Sequence, residues 1–205
     1  LGWLKAIPYF IGGIMLIDVG RLTNYFDYMG VKYYYDPDFR NIIDIMNILS
    51  DPDLLDEVAL EIALEYFYDD KTRELESFSD NLDIMITYLL EFLSMGDTGR
   101  TSNTNNVPLY DWSQDFNMIV SPINRILGED VRGKDYLHWW TFLSAFMEIG
   151  ECTFNTYVGI RDKLRRGKKL DKFEQKLYNE NRDKIILKKK MDSTTQALLD
   201  EILGG

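Results

Sequence analysis

His138 is the sole histidine among 205 residues, and so the one imidazole that could serve as a general base near neutral pH. Asp111 and Asp115 stand four residues apart, a spacing that puts two carboxylates on one helical face, as a pair for acid–base work would need. Both features have a plainer reading. A lone histidine beside Trp139 and Trp140 is a packed side chain with one nitrogen satisfied, and two acids at the start of a helix favour the positive end of its dipole. The sequence holds no glycine-rich phosphate loop, no nucleophile elbow and no helical pair of histidines, and Asp69-Asp70 lacks the regular spacing of a calcium loop. Cys152 stands alone, which excludes an internal disulfide, and nothing in the sequence has the Cys/His spacing of a zinc site. With no Lys, Arg or His directly beside it to lower its pKa, it reads as a small buried hydrophobe in a protein of a reducing interior. The expectation is a protein that is not an enzyme, with no catalytic residue, no metal and no cofactor.

The adjacent tryptophans ask a different question. Neighbouring positions on a helix diverge by roughly 100°, so Trp139 and Trp140 cannot both face a single core stripe. One indole needs a second surface, supplied either by the other half of this chain or by another polypeptide, and the partner is the expectation carried forward.

Charge is unevenly spread. The chain carries a formal net charge of −11, yet residues 161–190 hold 13 Lys/Arg against 5 Asp/Glu, a net of +8, which leaves −19 on the remainder. The acidic total argues against the whole chain lying on nucleic acid or an anionic membrane. The basic segment deserves a nucleic-acid reading of its own, because phosphate contacts need Lys and Arg. Asp171, Glu174, Glu180 and Asp183 are interleaved in it, however, and Phe173 and Tyr178 are its only aromatic platforms. A solvated helix, or one that pairs with acidic partners, is favoured, and nucleic acid is not expected.

The elements that would position these residues are mostly helical. Residues 1–17 are apolar but interrupted by Pro8 and Gly12-Gly13, and fall short of the ~20 residues of a spanning helix, so no membrane segment is expected. Residues 1–14 read as a leader ahead of an initiating Met15, since Gly12-Gly13 could be encoded by a purine-rich ribosome-binding site, or as an upstream fusion. Tyr25 to Asp36 is rich in β-favouring aromatics, with Met29-Gly30 as a hairpin turn. Asp38 caps a helix through Leu49, and Asp51 with Pro52 at the first helical position opens a second, running to about Tyr68. Its apolar face is Leu55, Val58, Ala59, Ile62, Leu64 and Phe67, and its acids are a solvated face. A third helix is expected from Phe78 to Met95, with Leu82, Met85, Ile86, Leu89, Leu90 and Leu93 as its core stripe.

Residues 96–106 contain no apolar residue and read as a flexible linker. Beyond it, Asp111 caps a helix to Leu127 that Pro122 should kink or restart. Helices from Leu137 to Ile149, Thr153 to Arg165 and Leu170 to Leu187 follow, with a last short one restarting at Asp192-Ser193-Thr194. The fold class is mainly α, a helical bundle with a short N-terminal β-hairpin. Its parts are the leader 1–14, a hairpin-plus-helices unit 15–95, a linker 96–109 and a helical unit 110–205 with a basic C-terminal arm. The two halves read either as separate domains or as one domain with a long loop.

The order of these pieces resembles the bacteriophage gene-product-fifteen family, small siphophage proteins encoded beside the tape-measure gene. Tyr110-Asp111 and Asp115 opening a helix, Leu137-His138-Trp139-Trp140 with Phe142, and Ile160-Arg161 before a basic tail carry the likeness. The hairpin at Met29 to Tyr35 leading to Asp38-Phe39-Arg40 extends it, for a coverage of about Leu16 to Leu187. The resemblance implies a tail-assembly chaperone that binds the tape-measure or another tail protein, in the host bacterial cytoplasm during phage assembly, with self-association as a further expectation. Trp139, Trp140 and Arg161 are then the expected partner-binding or fold-defining residues. The alternatives are a minor structural component of the tail or head–tail junction, and a nucleic-acid-binding protein using residues 161–190.

Overall fold

Tyr25–Tyr28 (β1) and Val31–Tyr34 (β2) pair antiparallel, with Tyr25 opposite Tyr34 and Tyr28 opposite Val31. The computed structural model describes Asp18, residues 20–95 and residues 108–188. Met29 and Gly30 both take positive φ, 53° and 81°, which is the backbone of a two-residue hairpin turn matched to strand twist. The Asp27 carboxylate accepts the Gly30 N–H across the turn. The expected fold class holds: ten helices accompany this one hairpin among the described residues.

By their internal contacts the described residues form two units, one of residues 20–95 with Tyr136–Trp140, the other of residues 108–135 with 141–188. In the first unit, α1 (Phe39–Leu49) is capped by Asp38, whose side chain accepts the Arg40 N–H. It packs on α2 (Asp56–Phe67), and α3 (Asp70–Arg73), α4 (Glu76–Asp80) and α5 (Leu82–Leu93) follow. An aromatic core joins hairpin to helices. Phe26 stacks on Tyr88 with ring centroids 3.9 Å apart, and Tyr35 stacks on Phe67 at 4.7 Å. The hydroxyls of buried Tyr35 and Tyr88 meet at 3.0 Å, and Tyr68 donates to the Met85 carbonyl at 2.9 Å. Burial pushes all three phenols up in pKa, so they remain neutral donors.

Two helix boundaries in this unit depart from the apolar spacing. Helix α2 begins at Asp56, not at Pro52: the Asp51 carboxylate captures the Asp53 N–H two residues on, a local turn that competes with helix. Leu55 and Val58, placed on the buried face by spacing, are exposed, while Ala59, Ala63, Leu64 and Phe67 are covered. The helix expected from Phe78 is split at Asn81, whose amide nitrogen donates to the Ser77 carbonyl while its backbone takes φ −120°. The break turns the stripe, so Ile84, Met85, Tyr88, Leu89 and Phe92 are buried and Leu82 is exposed.

In the second unit, α6 (Trp112–Leu127) starts on its Asp111 cap and ends at Gly128, which takes the left-handed φ of 75°. Of the kink or restart expected at Pro122, the restart does not occur, and Trp112–Leu127 is one helix with Pro122 inside it. Helix α7 (Trp139–Met147) is shorter than expected because residues 137 and 138 remain extended. Helix α8 spans Thr153–Arg165. Cys152 is its N-cap position and is half-buried, a correction to the fully buried reading. The charged helix expected from Leu170 to Leu187 is instead α9 (Lys172–Glu180) and α10 (Arg182–Ile185), parted at Asn181, which caps back onto the Leu177 carbonyl. Ile119, Val120, Ile123, Phe142, Phe154 and Ile160 lie in the core of this unit. The expected leader 1–14, most of the expected linker and the helix expected at Asp192 lie outside the described residues.

Candidate functional site

The histidine and the two tryptophans sit where residues 137–139 pair back onto residues 37–39 of the first unit. Asp38 and His138 form an antiparallel bridge, with Phe39 N–H donating to Leu137 O at 3.0 Å and Trp139 N–H to Pro37 O at 2.7 Å. The second carboxylate oxygen of Asp38 accepts the Leu137 N–H at 3.0 Å, so one aspartate both caps α1 and holds the returning chain.

His138 is buried, and its two nitrogens are both engaged. Nδ1 accepts the Trp140 N–H at 3.1 Å, which places the proton on Nε2, and Nε2 donates to the Thr23 carbonyl at 3.2 Å. Burial lowers its pKa below 6.5, opposed in part by the Thr23 hydrogen bond. The lone pair that a general base would offer is thus committed to the backbone of α7.

Trp139 and Trp140 are 1 % and 3 % exposed, so both rings are covered by this chain itself. Their indole N–H groups donate to consecutive carbonyls at the end of α5, Trp139 to Leu93 at 3.2 Å and Trp140 to Phe92 at 3.0 Å. Those carbonyls belong to the last turn of a helix, where the i+4 donors run out, and that of Phe92 also accepts the Met95 N–H at 3.2 Å. The expectation that one indole must be covered by another polypeptide is therefore corrected. Its reasoning assumed a helix flanked on one side, but these residues open α7, where the preceding backbone is extended and the chain can be enclosed from more than one direction. Phe92 stacks on Trp140 at 5.1 Å and meets the His138 ring edge-on.

Arg161 is likewise internal, at 7 % exposure, instead of partner-facing. Its guanidinium forks onto Asp115, with Nη1 donating to Oδ2 at 2.7 Å and Nη2 to Oδ1 at 2.9 Å. The other three N–H groups go to carbonyls: Nε to Ile185 at 2.6 Å, Nη1 to Leu109 at 3.0 Å and Nη2 to Lys184 at 2.8 Å. All five donors are used, and α6, α8, α10 and the segment entering α6 are tied at one point. Asp115, at 0 % exposure, also accepts the Asp111 N–H at 3.0 Å.

The helix-start reading of Asp111 and Asp115 therefore describes only part of what Asp115 does. A signal for the pair was present: Asp115 shares the buried stripe of α6 with Ile119 and Ile123, and Arg161 that of α8 with Tyr157 and Ile160, one charge of each sign on facing core positions. Elsewhere part of the basic segment is paired within itself, with Lys163 on Glu174, Arg165 and Arg166 on Asp162, and Lys176 near Glu180. No helix among the described residues is long and apolar enough to cross a membrane.

Compared with known sequences, residues 19–187 match the family model described as Bacteriophage Gp15 protein. Compared with curated proteins and with solved structures, the chain matches none.

Proposed function

This chain belongs to the Bacteriophage Gp15 protein family and is a phage protein, and from that premise we propose that it is a tail-assembly factor acting by protein–protein interaction with the tape-measure protein. The observation that carries the reading is the family match over 19–187, which takes in both structural units. Three further features support it. The side chains with chemical potential, His138, Asp115 and Arg161, spend their hydrogen bonds on holding the fold, which suits a binding protein without catalysis or cofactor. Residues 20–95 carry 17 Asp/Glu against 5 Lys/Arg, an acidic surface suited to steering a basic partner. The ion pairs that hold Lys163, Arg165 and Arg166 to acids of the same segment favour a protein partner over nucleic acid for residues 161–188.

A chaperone of this kind works in the host bacterial cytoplasm, keeping the long tape measure soluble until tail-tube subunits enclose it. The test is co-expression with the tape-measure protein of the same phage, followed by pull-down and by mass spectrometry of purified virions. Co-purification, with the chain absent from particles, is the expected result. Failure to capture the tape measure refutes the proposal, and a fixed copy number in particles replaces it with a minor structural component of the tail.

A further inference from the structure

Helix α2 turns an apolar stripe to solvent. Val58 and Tyr66 are exposed and Ile62 half-buried at helical spacing along it, on the side away from buried Leu64, and Leu55 at its N-cap position is 72 % exposed. Glu57, Glu61 and Glu65 run alongside on the same exposed side. In the second unit α9 shows the complementary pattern. Its start is fixed by a capping box between Asp171 and Glu174, and Leu177 and Tyr178 hold its inner face on the cluster of Tyr157, Ile160 and Ile185. Its outer face presents Phe173 at 68 % exposure among the exposed cations Lys169, Lys172 and Lys176.

We propose that these two faces are the halves of one interface between copies of this chain, the α9 face of one copy docking on the α2 face of another. The α2 face is an apolar strip and the α9 face a single exposed aromatic ring among lysines, and each carries the charge that the other lacks. Residues 20–95 hold a net of −12 and residues 161–188 a net of +6. Phe173 supplies an aromatic anchor for the Leu55–Val58–Ile62 strip, while Lys172 and Lys176 meet Glu61 and Glu65 at the rim. The contact is heterologous, because different surfaces meet, so each copy retains one free face of each kind after pairing.

The test is sedimentation velocity on the purified full-length chain, without any tape-measure protein, over a concentration series. Wild type is expected to gain mass with concentration, and to do so less at high salt. Val58→Lys and Phe173→Glu, both at exposed positions, are each expected to weaken association at least about tenfold with unchanged circular dichroism. Their equimolar mixture is expected to form a one-to-one complex, because the intact α9 of the first meets the intact α2 of the second. Should either variant fold poorly, Glu61→Lys and Lys176→Glu provide the same complementation. A wild type that stays monomeric throughout, a variant that associates like wild type, or a mixture that stays monomeric overturns the proposal. The last two outcomes assign the faces to another occupant or to a like-with-like contact.

Discussion

Replacing Arg161 by Met should be among the most damaging single changes in the second unit. The substitution keeps an unbranched apolar stem but removes five N–H donors at once, leaving the fully buried Asp115 carboxylate with the Asp111 N–H as its remaining donor in this network. It also strips partners from the Leu109, Lys184 and Ile185 carbonyls. Breaking a buried ion pair on one side costs about 3–5 kcal/mol, since the stranded charge keeps its desolvation penalty. A domain is stable by only about 5–15 kcal/mol, so the loss is a large share of the total. Arg161→Lys separates charge from geometry. A lysine retains the charge but cannot fork onto Asp115 and reach three carbonyls, and with at least two hydrogen bonds lost at about 1 kcal/mol each it should still cost about 2 kcal/mol or more.

Urea unfolding followed by near-ultraviolet circular dichroism measures these losses, and a double-mutant cycle with Asp115→Ala isolates the pair. Coupling of about 2 kcal/mol or more is expected, because each single variant leaves a charge that the double variant does not. Arg161→Lys within about 0.5 kcal/mol of wild type, or an additive cycle, would show that the network contributes little and that the helices are held by apolar packing alone.

Other expectations follow from the same geometry. Trp139→Ala and Trp140→Ala should each lower stability by about 3–5 kcal/mol in thermal melts while leaving any tape-measure capture by the folded fraction intact; normal stability with lost capture would restore the docking role. Because burial holds the folded pKa of His138 below 6.5, its contribution is fully present above that pH and is lost as pH falls through the folded value, where the unfolded state takes up the proton first. Urea midpoints between pH 7 and 5 should fall less steeply in His138→Gln, and a nuclear magnetic resonance titration with a pKa at or above 6.5 would contradict the buried neutral tautomer. Asp171→Ala removes the capping box and should loosen α9 by about 1 kcal/mol, read as faster amide exchange over 172–180.

Several residues that act on their own neighbours were announced by the sequence. Met29-Gly30 in the turn, Asp38 and Asp111 as caps, Gly128 as a helix stop and the Thr153–Arg165 helix are all local and were legible from residue type and spacing. The misses have two physical sources. Asp51, Asn81 and Asn181 bind backbone groups two to four residues away and break helices that apolar spacing alone would continue. Trp139, Trp140 and Asp115 meet partners 46 to 48 residues distant, which no window of local periodicity can supply. The family likeness was readable because it rests on ordered residues, whereas the roles of those residues became visible only with their contacts.

The return of residues 136–140 to the first unit bears on how the polypeptide is made. The Asp38 carboxylate and the Leu137 amide it holds are 99 positions apart. A nascent chain that has emerged only as far as Met95 therefore lacks the tryptophans that satisfy the α5 carbonyls and cover Phe92. The amino-terminal unit must wait on the ribosome, incomplete, while the intervening stretch is synthesised, and a gene truncated within residues 96–135 would leave that exposed aromatic edge to aggregate.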